Sequence, residues 1–173
     1  FHEDACFKLA RECLKKADLI GAQVRNPNTR YIGLKESDIR QLMRVCGGFD
    51  DTLALAEAYS MNSLDEWSMV LFYQTITLGS FDIFEEYRRR LPLVGELFER
   101  FREYYRTERD NYAVKHFKRV LAYCSEYSVL IDIAREFEFD DLLHSVAITL
   151  ENSGIGAGSR GSGFNFSAKP SVL

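Results

Sequence analysis

The sequence predicts an all-α fold: antiparallel helical hairpins stacked as an irregular α-solenoid segment. Three observations predict it. Apolar residues recur at three- and four-residue steps in one segment after another, and no segment alternates at period two. Only three prolines interrupt 173 residues, which suits helices joined by short turns. A Phe-Asp pair also recurs, at Phe49-Asp50, Phe81-Asp82 and Phe139-Asp140, each where one helical pattern has ended and another begins. An aspartate in a first turn meets the positive end of the helix dipole and can accept orphan N–H bonds. The phenylalanine beside it is placed to staple the turn to the core. The first two pairs lie about one helix-turn-helix repeat apart, the third further on, as in a degenerate repeat. The pairs are therefore read as punctuation rather than as a thrice-used acidic active site.

The elements follow in order. Cys6, Leu9, Ala10, Cys13, Ala17, Ile20, Gly21 and Val24 form one stripe of a helix over about 3–25, with small residues that let a neighbouring helix approach closely. Pro27 ends it, because the residue before a proline avoids the helical region. A second helix, about 36–46, turns Ile39, Leu42, Met43 and Cys46 inward and stops at Gly47-Gly48. A third covers about 49–60. The fourth starts at Ser63, where Ser63 and Glu66 make a capping-box pattern, and runs to Gly79. It is apolar nearly all round, which predicts the most buried element. A fifth spans about 81–90. A sixth, about 92–106, faces Leu93, Val94, Leu97, Phe98, Phe101 and Tyr105 inward. A seventh, about 111–124, does the same with Val114, Phe117, Val120, Leu121 and Cys124. Two more helices take "YSVLIDIAREF" and "DDLLHSVAITLENSG". Residues 1–152 are one helical domain, and the Gly/Ser-rich stretch 153–173 is expected to be a flexible tail.

Composition excludes several classes. A chain that is 46% apolar and 28% charged is that of a soluble globular protein. No stretch approaches the roughly 18 uninterrupted apolar residues of a membrane span. The chain opens on Phe1 directly into a helical pattern, so a piece of a larger protein is expected. Four cysteines without a Cys-x-x-Cys pair argue against zinc and for reduced core thiols in a cytosolic protein. No cofactor is expected. Gly156, Gly158 and Gly161 match the dinucleotide fingerprint literally, but that motif works only between a strand and a helix, and this one follows a helix. His2, His116 and His144 are far apart in sequence, and His144 and Ser145, as neighbours on a helix, point apart and build no triad.

Charge is distributed unevenly. Residues 88–119 carry ten Lys/Arg against five Asp/Glu, a local +5 that leaves −9 for the remainder of a chain whose net charge is −4. Nothing in that balance points to nucleic acid. Arg88, Arg89 and Arg90, with Arg102 and Arg106 further along, are candidate contacts for an acidic partner, with an anionic membrane as the runner-up, and a solvated helix end explains the arginine run equally well. In the last stretch, Phe164 and Phe166 are candidates for docking as a short linear peptide.

One stretch carries a resemblance. "LALAEAYSMNSLDEWSMVLFYQTITLGSFDIFEEYRRR", residues 53–90, resembles the C-terminal region of the spatacsin family. The matching features are Ala56-Glu57-Ala58-Tyr59, Glu66-Trp67, Val70-Leu71, Gly79 and Phe84-Glu85-Glu86. Gln23 and Arg25 match that family's connector, and Tyr123-Cys124-Ser125-Glu126 its later helix pair, so the similarity runs over about residues 5–150. The resemblance implies a segment of a very large, non-enzymatic α-solenoid protein. It implies as partners a spastizin-like FYVE-domain protein, subunits of the fifth adaptor complex, and the rest of its own longer chain. It implies a cytoplasmic place, peripheral to late endosomes and lysosomes, with membrane association indirect at most.

Overall fold

The computed structural model describes residues 2–108 and 111–152. The described residues are helical and contain no strand. The helices are α1 (His2–Arg25), α2 (Glu36–Val45), α3 (Phe49–Ala58), α4 (Leu64–Leu71), α5 (Asp82–Arg90), α6 (Gly95–Thr107), α7 (Asn111–Leu121), α8 (Tyr127–Glu136) and α9 (Asp140–Asn152). The anticipated starts and stops hold to within a few residues. The Ser63 hydroxyl accepts the Glu66 backbone N–H at 3.3 Å and caps α4. The Phe-Asp pairs open α3, α5 and α9, with Phe49 and Phe139 buried and Phe81 half-buried.

Five helix pairs pack by skipping one helix, and the neighbours α2 and α3 also touch. α1 lies on α3 and α3 on α5, while α2 lies on α4, α4 on α6 and α6 on α8. α9 closes on α8. The core is strongly aromatic. Phe49 stacks on Trp67 at 5.3 Å, and Trp67 meets Tyr87 at the same distance, which locks α3, α4 and α5 together. Further along, Tyr105 packs on Phe117 at 4.6 Å, and Phe117 meets Phe139 at 6.0 Å.

The predicted fourth helix is not uniform. From Phe72 to Thr77 it widens into a π-helical stretch, and the Leu78 N–H reaches back five residues to the Tyr73 carbonyl. The wider turn directs the buried Gln74 at the end of α2. There its side-chain amide donates to the Cys46 carbonyl at 2.7 Å and to that of Met43 at 3.4 Å. Gln74 thereby satisfies carbonyls that the end of α2 leaves without helical partners. α7 packs directly on the π stretch.

Two expectations change. The first three residues of the predicted sixth helix are not helical. Val94 is extended (φ −98°, ψ 151°), and α6 begins at Gly95, whose N–H donates to the Glu126 carboxylate. Val94 is consequently exposed rather than inward. Of the four cysteines, Cys46 and Cys124 are core thiols as read, but Cys6 and Cys13 are exposed. The reason is the orientation of α1. Its contact with α3 runs through Leu19 and Ala22, on the opposite side from the apolar stripe.

Candidate interaction surface

The arginines singled out in the sequence lie on α5 and α6, and the fold supplies each with an acidic partner. Arg88 pairs with Glu85 on its own helix and lays its guanidinium 4.8 Å from the Tyr123 ring centre. Arg90 reaches across to Asp50 of α3 at 2.7 Å and covers the Phe49 ring at 4.9 Å. Arg89 pairs with Glu86 one turn back at 2.6 Å and is the most exposed of the three, its side chain 64% accessible. Asp50 comes from outside the basic segment, so the excess positive charge counted along the sequence is largely met in space. Electrostatics at this end couples α5 to α3 and to the turn after α7.

Arg102 and Arg106, one turn apart on α6, converge on a single acid that the sequence reading did not single out. Glu136, the last residue of α8, takes hydrogen bonds from Arg102 Nε and from both Arg106 Nε and Nη2, the last at 2.8 Å. Its pKa is held down to about 2, first by the Arg106 hydrogen bonds and then by Arg102, against the opposing effect of burial. Burial also works against ionisation of Glu85, but hydrogen bonds from Arg88 and the Tyr123 hydroxyl outweigh it and hold that carboxyl below its usual range. Position 136 gives no local signal of its role, since the pairing is made across 34 residues.

The connector marked by Gln23 and Arg25 is organised by those same residues. Gln23 donates to the Thr29 carbonyl and accepts the Tyr31 N–H, both at 2.8 Å, and so shapes the turn after α1. Arg25 pairs with Asp51 in the first turn of α3, and Asn26 donates to the same carboxylate at 2.7 Å. The motif glycine, Gly79, takes φ +72° and lies directly under His116 of α7. His116 Nδ1 is 3.0 Å from the Ile76 carbonyl, so this histidine closes the π stretch against α7. Among the described residues, no group of three His, Cys, Asp or Glu is arranged to share a metal ion. Phe164, Phe166 and the Gly156–Gly161 motif lie outside the described residues.

A family model described as "Spatacsin C-terminus" matches residues 1–107. The chain belongs to the spatacsin C-terminal family. Mouse spatacsin is 25% identical over 149 residues, covering 83% of this chain. A Dictyostelium discoideum protein is 31% identical over 80 residues, covering 46% of this chain. The chain spans only 6% and 2%, respectively, of the length of these relatives. No solved structure matches it. The family match takes in α1 to α6, and so includes Gln23, Arg25, Trp67 and Gly79, whose structural roles are described above.

Proposed function

We propose that the chain is a non-enzymatic α-solenoid segment of a spatacsin-like protein and serves as a scaffold in endosomal and lysosomal membrane trafficking. The observation that carries the reading is the skip-one packing. Where helices rest on the next but one, as in five pairs here, two layers can grow side by side and present a long surface of the kind by which solenoids bind proteins. The polar groups support it. Arg90, Arg102 and Arg106 pair with acids on other elements. The partners proposed are a spastizin-like FYVE-domain protein and subunits of the fifth adaptor complex, at the cytoplasmic face of late endosomes and lysosomes. No helix among the described residues is long and apolar enough to cross a membrane. The test is to isolate the complete native polypeptide from its own cells, with and without residues 1–152, and identify bound proteins by mass spectrometry. The FYVE-domain protein and adaptor subunits should accompany the intact polypeptide and be lost on deletion. Their absence from both preparations overturns the reading.

A further inference from the structure

α1 is amphipathic the wrong way round for a helix that ends its own core. On the side toward α3, Arg11, Leu14, Lys15 and Asp18 line a cleft with Glu57, and Arg11, Leu14 and Asp18 are themselves exposed. Its apolar side faces solvent. Cys6, Ala10, Cys13, Ala17, Ile20 and Val24 recur in alternating steps of four and three, and all six are exposed. Phe7 and Leu14 flank this seam on one side and Leu9 on the other, each about two-thirds exposed. Scattered exposed apolar residues are normal, but a continuous apolar helix face is the mark of an interaction site. The pattern also says what kind. Apolar residues at the two seam positions and at the flanking one make the broad face of a helix inside a bundle. A two-stranded coiled coil has a narrower stripe with charged flanks. From Cys6 to Ala17 the middle is small and the edges bulky, forming a trough that admits a helix at close range, and Ile20 and Val24 bound it toward the C-terminal end of α1.

We propose that this face seats an amphipathic helix of the same longer polypeptide, carrying bulky aliphatic side chains at three- and four-residue steps and lying outside residues 1–173. The proposal rests on the solenoid reading and specifies its junction. Two observations choose the occupant. α3 packs on both α1 and α5, and extending that skip-one pattern past α1 gives a helix on the side of α1 away from its buried Leu19 and Ala22, where the apolar face lies. The relatives are many times longer than this chain, which is 6% of the mouse protein's length, so a polypeptide of that kind carries ample helix to fill the seat.

Cys6 and Cys13 are built-in reporters. The isolated chain and the complete native polypeptide are treated with a maleimide under native conditions, and labelling is read peptide by peptide. In the isolated chain both thiols should label rapidly, while Cys46 and Cys124 stay slow. In the complete polypeptide Cys6 and Cys13 should slow by about tenfold or more, as a covered thiol loses access to reagent. Ala10→Arg with Ala17→Arg, at exposed positions that leave the isolated chain's fold unchanged, should restore their rapid labelling in the complete polypeptide. Equal labelling in both forms overturns the proposal. So does protection of the isolated chain that grows with concentration alongside a doubled mass, which means a second copy is the occupant. Protection of residues 1–173 that is lost on truncation to 1–152 overturns it in favour of the chain's own last stretch. A native polypeptide that ends at α1 also overturns it. None of these outcomes bears on whether trafficking partners are captured, so failure here is distinct from failure of the functional reading.

Discussion

Trp67 sits where three helices of the family motif meet. It is 3% exposed and lies between Phe49 and Tyr87, so three helices share one indole. Trp67→Ala should cost about 3–5 kcal/mol, the scale of large-to-small core changes, read as a lower urea midpoint; an unchanged midpoint would place the indole outside the core. Glu136 sets a different kind of dependence. Its folded pKa of about 2 lies below the ordinary carboxylate value of about 4.3 in an unfolded chain. The folded state therefore gains stability from Glu136 above the unfolded value and loses it as pH falls through that window toward about 2. Glu136→Gln should lower stability at neutral pH and flatten the decline between about pH 4.5 and 2, where the wild-type group takes up its proton. Parallel pH profiles of the urea midpoint for the two proteins would contradict the assignment.

At the scale of elements, the junction between α4, the π stretch and α7 shows why a motif glycine is needed. Gly79 has φ +72°, and a Cβ there would lie 2.5 Å from His116 Cε1. Gly79→Ala should thus suffer twice, from the backbone conformation and from displacing the ring that meets the Ile76 carbonyl. A loss of about 1–3 kcal/mol is expected, the range for alanine at strained positive φ combined with crowding. Thermal denaturation measures it, and His116→Ala in the same background should recover part of the loss. Most helices were legible because period and punctuation are local: Ser63, Pro27 and the Phe-Asp pairs each act within a turn or two. The π widening was not legible, because it is decided by where Gln74 must reach, the end of an element 28 residues earlier. α1's stripe was visible as a stripe, but its outward direction was not, since periodicity gives the width of a face and never its partner. The arginines were legible as a charge count. Their neutralisation by Asp50 and Glu136 was hidden by sequence distance.

At the scale of the whole molecule, the cationic segment is a set of struts between elements, and its members differ in what they can be spared for. Among the described residues Arg89 pairs with Glu86 of its own helix and is the most exposed of the three, whereas Arg88 and Arg90 each also cover a ring on another element. Arg89→Glu should leave stability within about 0.5 kcal/mol of wild type, as exposed ion pairs do, while weakening capture of an acidic partner most strongly at low salt. Reversing Arg88, Arg89 and Arg90 together should destabilise the fold as well, because it removes the Asp50 strut and two cation–π contacts. Capture of the same partners by Arg89→Glu at every ionic strength would assign Arg89 to the solvated surface alone. Skip-one packing has one more consequence, for how such a chain is made. Its ties close over short stretches, 26 residues from Arg25 to Asp51 and 34 from Arg102 to Glu136. A nascent chain leaving the ribosome can therefore complete the α1–α3, α2–α4, α3–α5, α4–α6 and α6–α8 contacts with the next helix but one, while the π stretch waits for α7. Contacts of such modest separation favour rapid folding, and synthesis from the N-terminus lets the layers assemble in the order they emerge.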